Sequence, residues 1–264
     1  MSELPNVTFL GLGHMGGPMA ANLAKAGYSV TGYDPVPAAQ EEAAKNGITV
    51  VGSALEAVPA ADVVITMLPN GTLVLDLYDE ILGAAKPDTL FVDSSTIDVA
   101  DARDAAGRAQ AAGHRAIDAP VSGGVAGAAA GTLAFMVGCD EAVFANVEAA
   151  LEPMSRITIR AGDHGAGQAA KICNNMLLGI SMIGTCEAIA LAEKLGLDPE
   201  RFFEIASKSS GQCWSVTSYY PWPGPVPTAP SNRNYEGGFA TAMMLKDLKL
   251  AQDAAAKAGA SLTA

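Results

Sequence analysis

Along the first half of the chain, short apolar and β-branched runs alternate with alanine-rich runs of helical spacing. The pattern predicts strands at Val7–Leu10, Val30–Tyr33, Val63–Met67, Leu90–Asp93 and Ala116–Asp118. It predicts helices between them at Gly16–Ala26, Pro37–Asn46, Thr72–Leu82 and Val99–Ala112. Strand alternating with helix gives a parallel sheet with helices on both faces. Two further apolar runs, Leu133–Val137 and Ile157–Ile159, extend the same sheet.

After these runs the pattern changes. From Gln168 to Leu195 the chain reads as one long helix that is apolar nearly all round, with Ile172, Met176, Leu177, Ile180, Ile183, Ile189 and Leu191 among glycines and alanines. Such a helix is expected to be buried. A shorter helix follows from Pro199 to Ser207, then a long Pro-, Gly- and Ser-rich loop, Ser209–Gly238, and a last helix from near Thr241. No strand pattern follows the long helix. The division expected is an α/β domain over 1–163, an interdomain helix over 164–195 and an all-helical domain over 196–264.

The first glycine cluster adds chemistry. Gly11-Leu12-Gly13-His14-Met15-Gly16 leaves a predicted strand and opens a predicted helix. In that context G-x-G-x-x-G makes a tight turn, lets a pyrophosphate approach the backbone, and packs helix on strand. The fold class is therefore a Rossmann-type, doubly wound, mainly parallel α/β sheet. The helix N-terminus offers N–H groups and partial positive charge to phosphate. Asp34, at the end of the second strand, stands where an acid meets the adenosine ribose. A carboxylate there binds both hydroxyls and repels a 2′-phosphate, which favours NAD over NADP. Met67-Leu68-Pro69 and Thr96 follow the third and fourth strands, and ligands in such sheets bind beyond the strands' carboxyl ends.

Further along, Ser122, Gly123 and Gly124 offer a hydroxyl and unobstructed N–H groups suited to a carboxylate. In Gly165-Ala-Gly-Gln-Ala-Ala-Lys-Ile-Cys-Asn-Asn175 a single lysine, Lys171, sits in an apolar, small-residue helix, with Asn175 one turn later on the same face. Burial disfavours the charged form of an amine, so a lysine in such a wall is suited to pass a proton near neutral pH. Read alone, Lys171 is equally a surface lysine with its charge in water.

Composition narrows the field. The chain has 264 residues, 50% of them hydrophobic and 17% charged, with a net charge of −12. That describes a globular protein with a sizeable core, and its charge repels nucleic acid and anionic membrane. No run is expected to be long and apolar enough to span a bilayer, and no signal peptide is visible. Cys139, Cys173, Cys186 and Cys213 make no C-x-x-C pair and have no metal-ligand spacing to His14, His114 or His164. Free thiols in a reducing cytoplasm and no metal site are the expectation.

Four ordered segments resemble the β-hydroxyacid dehydrogenase family. They are G-L-G-H-M-G-G-P-M-A at 11–20, D-A-P-V-S-G-G at 118–124, G-A-G-Q-A-A-K-I-C-N-N at 165–175 and F-A-T-A-M-M-L-K-D-L at 239–248. Cys213-Trp-Ser215, Tyr219 and the run to Asn234-Tyr-Glu-Gly-Gly-Phe239 resemble its hydroxyisobutyrate branch. The resemblance implies that Lys171 is the catalytic acid/base, that Asn175 holds and orients the substrate, and that Ser122, Gly123 and Gly124 take its carboxylate. It implies that Lys246 reaches the cofactor, with Asp247 near the cleft, and that Trp214, Tyr219 and Phe239 wall the pocket. It implies NAD as cofactor and a small β-hydroxy acid as substrate. The long apolar helix and the helical second domain carry more apolar surface than a small helical domain easily covers, so a homodimer or homotetramer is expected. L-Serine, glyoxylate or succinic semialdehyde are alternative substrates, and a non-catalytic dinucleotide-binding module is the alternative of a different class. The family runs some tens of residues beyond position 264, so a final helix is expected to be missing.

Overall fold

A computed structural model of the chain describes residues 4–236 and 238–262. It falls into two compact units, residues 1–171 and 172–264.

The first unit is the alternating one. It runs β1 (Val7–Leu10), α1 (Gly16–Lys25), β2 (Val30–Tyr33), α2 (Pro37–Lys45), β3 (Thr49–Val50), α3 (Ala54–Ala57), β4 (Val63–Thr66), α4 (Gly71–Ile81), β5 (Leu90–Asp93), α5 (Val99–Ala111), β6 (Arg115–Asp118), β7 (Val121–Ser122), α6 (Gly124–Ala130), β8 (Leu133–Gly138), α7 (Glu141–Leu151) and β9 (Ser155–Gly162). The strands form one sheet in the order β3-β2-β1-β4-β5-β6-β8-β7, with β9 on the far side of β8. From β3 to β6 every pairing is parallel and in continuous register, for example Leu10 beside Tyr33 and Thr66, and Thr66 beside Asp93. The register brings the carboxyl ends of β1, β2, β4, β5 and β6 to one edge of the sheet. The last strands turn over: β8 is antiparallel to β6 and β7, and β9 runs parallel to β8.

Two apolar layers sandwich the sheet. One gathers Val7, Phe9, Met19, Leu23, Ile65, Phe135 and Leu151. The other gathers Leu10, Val64, Val74, Tyr78, Ile81, Phe91 and Ala106. Successive strand residues point to opposite faces, so Phe9 and Leu10 serve different layers. Burying a residue of that size stabilises by about 1.5–3 kcal/mol.

The helix expected at 168–195 is α8 (Ala166–Lys194), which runs from the end of the first unit into the second. It corrects two expectations. First, it is not buried all round: Leu177 is 64% exposed, and Ile183 and Leu191 are also at the surface. Its apolar residues are buried only where another element reaches them. Second, its 29 residues and mean hydropathy of 1.5 over an 18-residue window are enough, by length and composition, to cross a membrane.

The second unit continues with α9 (Pro199–Ala206), α10 (Trp214–Thr217) and α11 (Thr241–Ala258). The segment expected to be a loop, 209–238, carries α10 and supplies much of this unit's core. Val216, Tyr220, Val226 and Ala229 pack with Ile189 and Ala206. Tyr220 donates its hydroxyl to the Pro199 carbonyl at 2.9 Å, and Ser231 Oγ donates to the Tyr220 carbonyl at 2.8 Å. Gly237, within that segment, lies outside the described residues.

Candidate active site

Glycine geometry at the end of β1 fits a dinucleotide. Gly11 has φ +95°, and a Cβ there would lie 2.4 Å from the Met67 carbonyl oxygen. A Cβ on Gly16 would lie 1.9 Å from the Gly11 carbonyl oxygen. Gly13, between them, has open space around it. The turn and the helix–strand contact thus require two glycines, and the middle one leaves room for a ligand. No side chain caps α1, and its first turn holds no acid, so its positive end is left for phosphate. His14 is exposed, Met15 half-buried and Leu12 buried.

Asp34 is buried at the end of β2. Its Oδ2 accepts the Leu12 N–H at 2.7 Å and its Oδ1 the Val36 N–H at 2.8 Å. The acid therefore ties the glycine loop to β2, and each oxygen keeps a further lone pair for a ribose hydroxyl.

The next strand ends are linked by side chains. Thr66 Oγ1 donates to Asp93 Oδ1 at 2.8 Å, the Ser95 N–H reaches the same oxygen at 3.2 Å, and Ser95 Oγ accepts the Leu68 N–H at 2.8 Å. This network holds Met67-Leu68-Pro69 beside the turn that carries Thr96. Asp93 is fully buried and its Oδ2 has no hydrogen-bond partner; burial pushes its carboxyl up to about 6.

Beyond β6, Ser122 is half-buried, while Gly123 and Gly124 are exposed with φ of +139° and +63°. Asp118, at the end of β6, turns the other way. Its Oδ1 accepts the Gly165 N–H at 2.7 Å and its Oδ2 the Gln168 N–H at 2.9 Å, at the start of α8. Burial raises its pKa, and those two N–H groups hold the rise in check. Lys171 follows within one turn and is 8% exposed, so the surface-lysine reading fails.

In the second unit, Asn175 is 2% exposed and donates its side-chain amide to Asp247 Oδ2 at 2.5 Å. Lys246 Nζ lies 3.3 Å from Asp247 Oδ1. The aromatic trio also meets. Trp214 stacks on Tyr219 with ring centroids 5.1 Å apart, and the Phe239 N–H donates to the Tyr219 hydroxyl at 3.3 Å. Trp214 and Phe239 are exposed rather than core.

Sequence reading left Asp93, Asp118 and Gln168 without roles. Asp118 stood inside a quoted motif, and its place at a strand end was the signal. Nothing in the sequence pairs Gln168 with residues seventy positions earlier. Among the described residues no three His, Cys, Asp or Glu side chains are grouped to hold a metal ion, and all four cysteines are free thiols.

A sheet running β3-β2-β1-β4-β5-β6 with a glycine loop leaving β1 defines a dinucleotide-binding α/β protein. Residues 6–163 match the family described as the NAD binding domain of 6-phosphogluconate dehydrogenase. Residues 165–264 match that described as NAD-binding of NADP-dependent 3-hydroxyisobutyrate dehydrogenase. The chain is 50% identical over 251 residues to a 3-hydroxyisobutyrate dehydrogenase of Pseudomonas aeruginosa, covering 94% of this chain and 84% of the relative. It is 47% identical over 263 residues to an NAD-dependent L-serine dehydrogenase of the same organism, covering 98% and 88%. A solved structure of the Mycobacterium tuberculosis 3-hydroxyisobutyrate dehydrogenase with L-serine superposes with a TM-score of 0.94 at 52% identity, covering 99% of this chain and 90% of that one. The chain belongs to the 3-hydroxyisobutyrate dehydrogenase family of NAD-binding oxidoreductases.

Proposed function

We propose that the chain oxidises 3-hydroxyisobutyrate to methylmalonate semialdehyde, a step of valine breakdown, with NAD as acceptor and Lys171 as the acid/base. The observation that carries this is a buried lysine in the motif G-A-G-Q-A-A-K-I-C-N-N, on a chain of this family. Asp34 supports NAD: a 2′-phosphate would meet a carboxylate already fixed by two backbone N–H groups. Gly11, Leu12, Gly13, His14, Met15 and Gly16 would cradle the pyrophosphate, with Met67, Leu68, Pro69, Thr96, Phe239 and Lys246 completing the cofactor contacts.

Bound NAD supplies the hydride acceptor. Ser122 Oγ and the N–H groups of Gly123 and Gly124 hold the substrate carboxylate, which fixes the β-carbon. Lys171 Nζ, neutral, takes the hydroxyl proton as hydride leaves the same carbon, and the aldehyde forms; in reverse the ammonium protonates the oxygen. Asn175, oriented by Asp247, holds the substrate with its amide. Trp214 and Tyr219 shape the wall that meets the methyl group.

L-Serine is the second reading, because a 47% identical relative is named for it and the similar solved structure contains it. Serine offers the same acid and β-hydroxyl and differs by an amine for the methyl. Comparing kcat/KM for (S)-3-hydroxyisobutyrate and L-serine tests the choice. A higher value for hydroxyisobutyrate supports the first reading, and a higher value for serine keeps the chemistry and overturns the substrate. We read the enzyme as a cytoplasmic homodimer or homotetramer, and the exposed apolar residues of α8 support the oligomer. Light scattering of the purified chain tests it, and a monomer would contradict it.

A further inference from the structure

We infer that Gln168 is a positioning residue that couples the turn carrying Thr96 to the helix carrying Lys171, and that it acts on the chemical step rather than on binding. The inference rests on Lys171 being the acid/base.

Gln168 is fully buried in the first turn of α8. Its side chain spans the turn after β5: Nε2 donates to the Ser95 carbonyl at 2.7 Å and Oε1 accepts the Ile97 N–H at 3.1 Å. One amide thus satisfies one backbone acceptor and one backbone donor on either side of Thr96. Neither a carboxylate nor a thioether can make both bonds. Its own N–H is held by Asp118 from the end of β6. The chain of bonds continues from Ser95 to Asp93, Thr66 and Leu68. The first turn of α8 is therefore tied to the ends of β4, β5 and β6 at once.

Packing leaves this turn little freedom. A Cβ on Gly167 would lie 2.3 Å from the Met136 carbonyl oxygen and 2.8 Å from the Asp118 carbonyl oxygen. Lys171 follows Gln168 by three residues, within about 60° of the same helix face. Whatever sets the height and rotation of Gln168 sets those of Lys171. A displacement of about 1 Å at a reacting group can cost a factor of 10² in rate. The neighbouring backbone groups at Ser95 and Ile97 would also lose their partners if Gln168 were removed.

The test compares Gln168→Met and Gln168→Glu with the wild-type enzyme and with Lys171→Ala. The expected result is kcat lower by about 30–100-fold in Gln168→Met, with Kd for NAD within about threefold and a larger isotope effect on the β-deuterated substrate. In Gln168→Glu a protonated carboxyl can donate to Ser95 and accept from Ile97, whereas a carboxylate cannot donate. Semialdehyde reduction by that variant, relative to wild type, should therefore recover as pH falls. A merely structural role would lower Tm and leave kcat per folded molecule, isotope effect and pH profile unchanged, and that result overturns the inference. Should Gln168→Met fail to fold, the Gln168→Glu pH profile decides alone. Should Lys171→Ala keep normal turnover, the functional reading itself fails, whatever Gln168 does.

Discussion

Asn175 and Asp247, 72 positions apart, meet through a buried hydrogen bond between α8 and α11, with the amide donating to the carboxylate. Both side chains are almost fully covered, and the other oxygen of Asp247, Oδ1, faces Lys246 Nζ at 3.3 Å. A buried hydrogen bond to a charged group contributes about 1.5–3 kcal/mol. Asn175→Ala, Asp247→Ala and the double variant should show a coupling of that order in unfolding free energy. Strict additivity would mean that the two do not depend on each other. Asn175→Ala should also lower kcat/KM more than it lowers NAD affinity, measured by titration of the cofactor.

The glycine loop separates fold from ligand. Gly13→Ala places a methyl in open space and should change stability by no more than about 0.5 kcal/mol. Its Kd for NAD should rise by about tenfold or more, since the methyl stands where pyrophosphate approaches. Gly16→Ala instead drives a methyl into the Gly11 backbone and should destabilise by about 3 kcal/mol. Thermal unfolding and NAD titration of the two variants check the pair.

Asp93 gives the fold a pH dependence whose sign is set by burial. Its carboxyl is raised from the ordinary 3.8 to about 6. The native state therefore holds the proton more tightly than the unfolded chain. The associated stability is fully present below about pH 4 and is lost as pH rises through 6, about 3 kcal/mol in all. Asp93→Asn should flatten that part of the stability–pH curve, with the difference from wild type appearing between pH 4 and 6. Parallel curves for the two proteins would contradict the assignment.

The alternating half of the fold was legible because each strand is a short apolar run bounded by turn residues. The glycine loop was legible because its place between β1 and α1 gives the spacing meaning. Less visible were α6, whose Gly-Val-Ala-Gly-Ala-Ala-Ala holds two glycines and is too short to show a helical period, and α7, where Val143, Val147 and Leu151 carry a helical spacing beside a stronger strand signal. The segment 209–238 misled because proline and glycine mark turns and say nothing of what the turns enclose. There Tyr220 and Val226 form a core with no periodicity to reveal it. The bonds from Gln168 to Ser95 and Ile97 exist only once β5 and α8 are brought together, so no local pattern records them.

Tyr220 offers a check on that hidden core. Burial pushes its hydroxyl up to about 12, and it donates to the Pro199 carbonyl. Tyr220→Phe should cost about 1–3 kcal/mol by leaving that carbonyl without its partner, read as a shift in urea midpoint with unchanged slope. No shift would mean that the segment contributes little to the unit's stability.

The most direct measurement is NADH formation from (S)-3-hydroxyisobutyrate by the wild-type protein and by Lys171→Ala, alongside NAD binding to both. The account predicts turnover in the wild type, a loss of about 10²–10⁴-fold in kcat in the variant, and similar NAD affinity. Near-normal turnover by Lys171→Ala would contradict it.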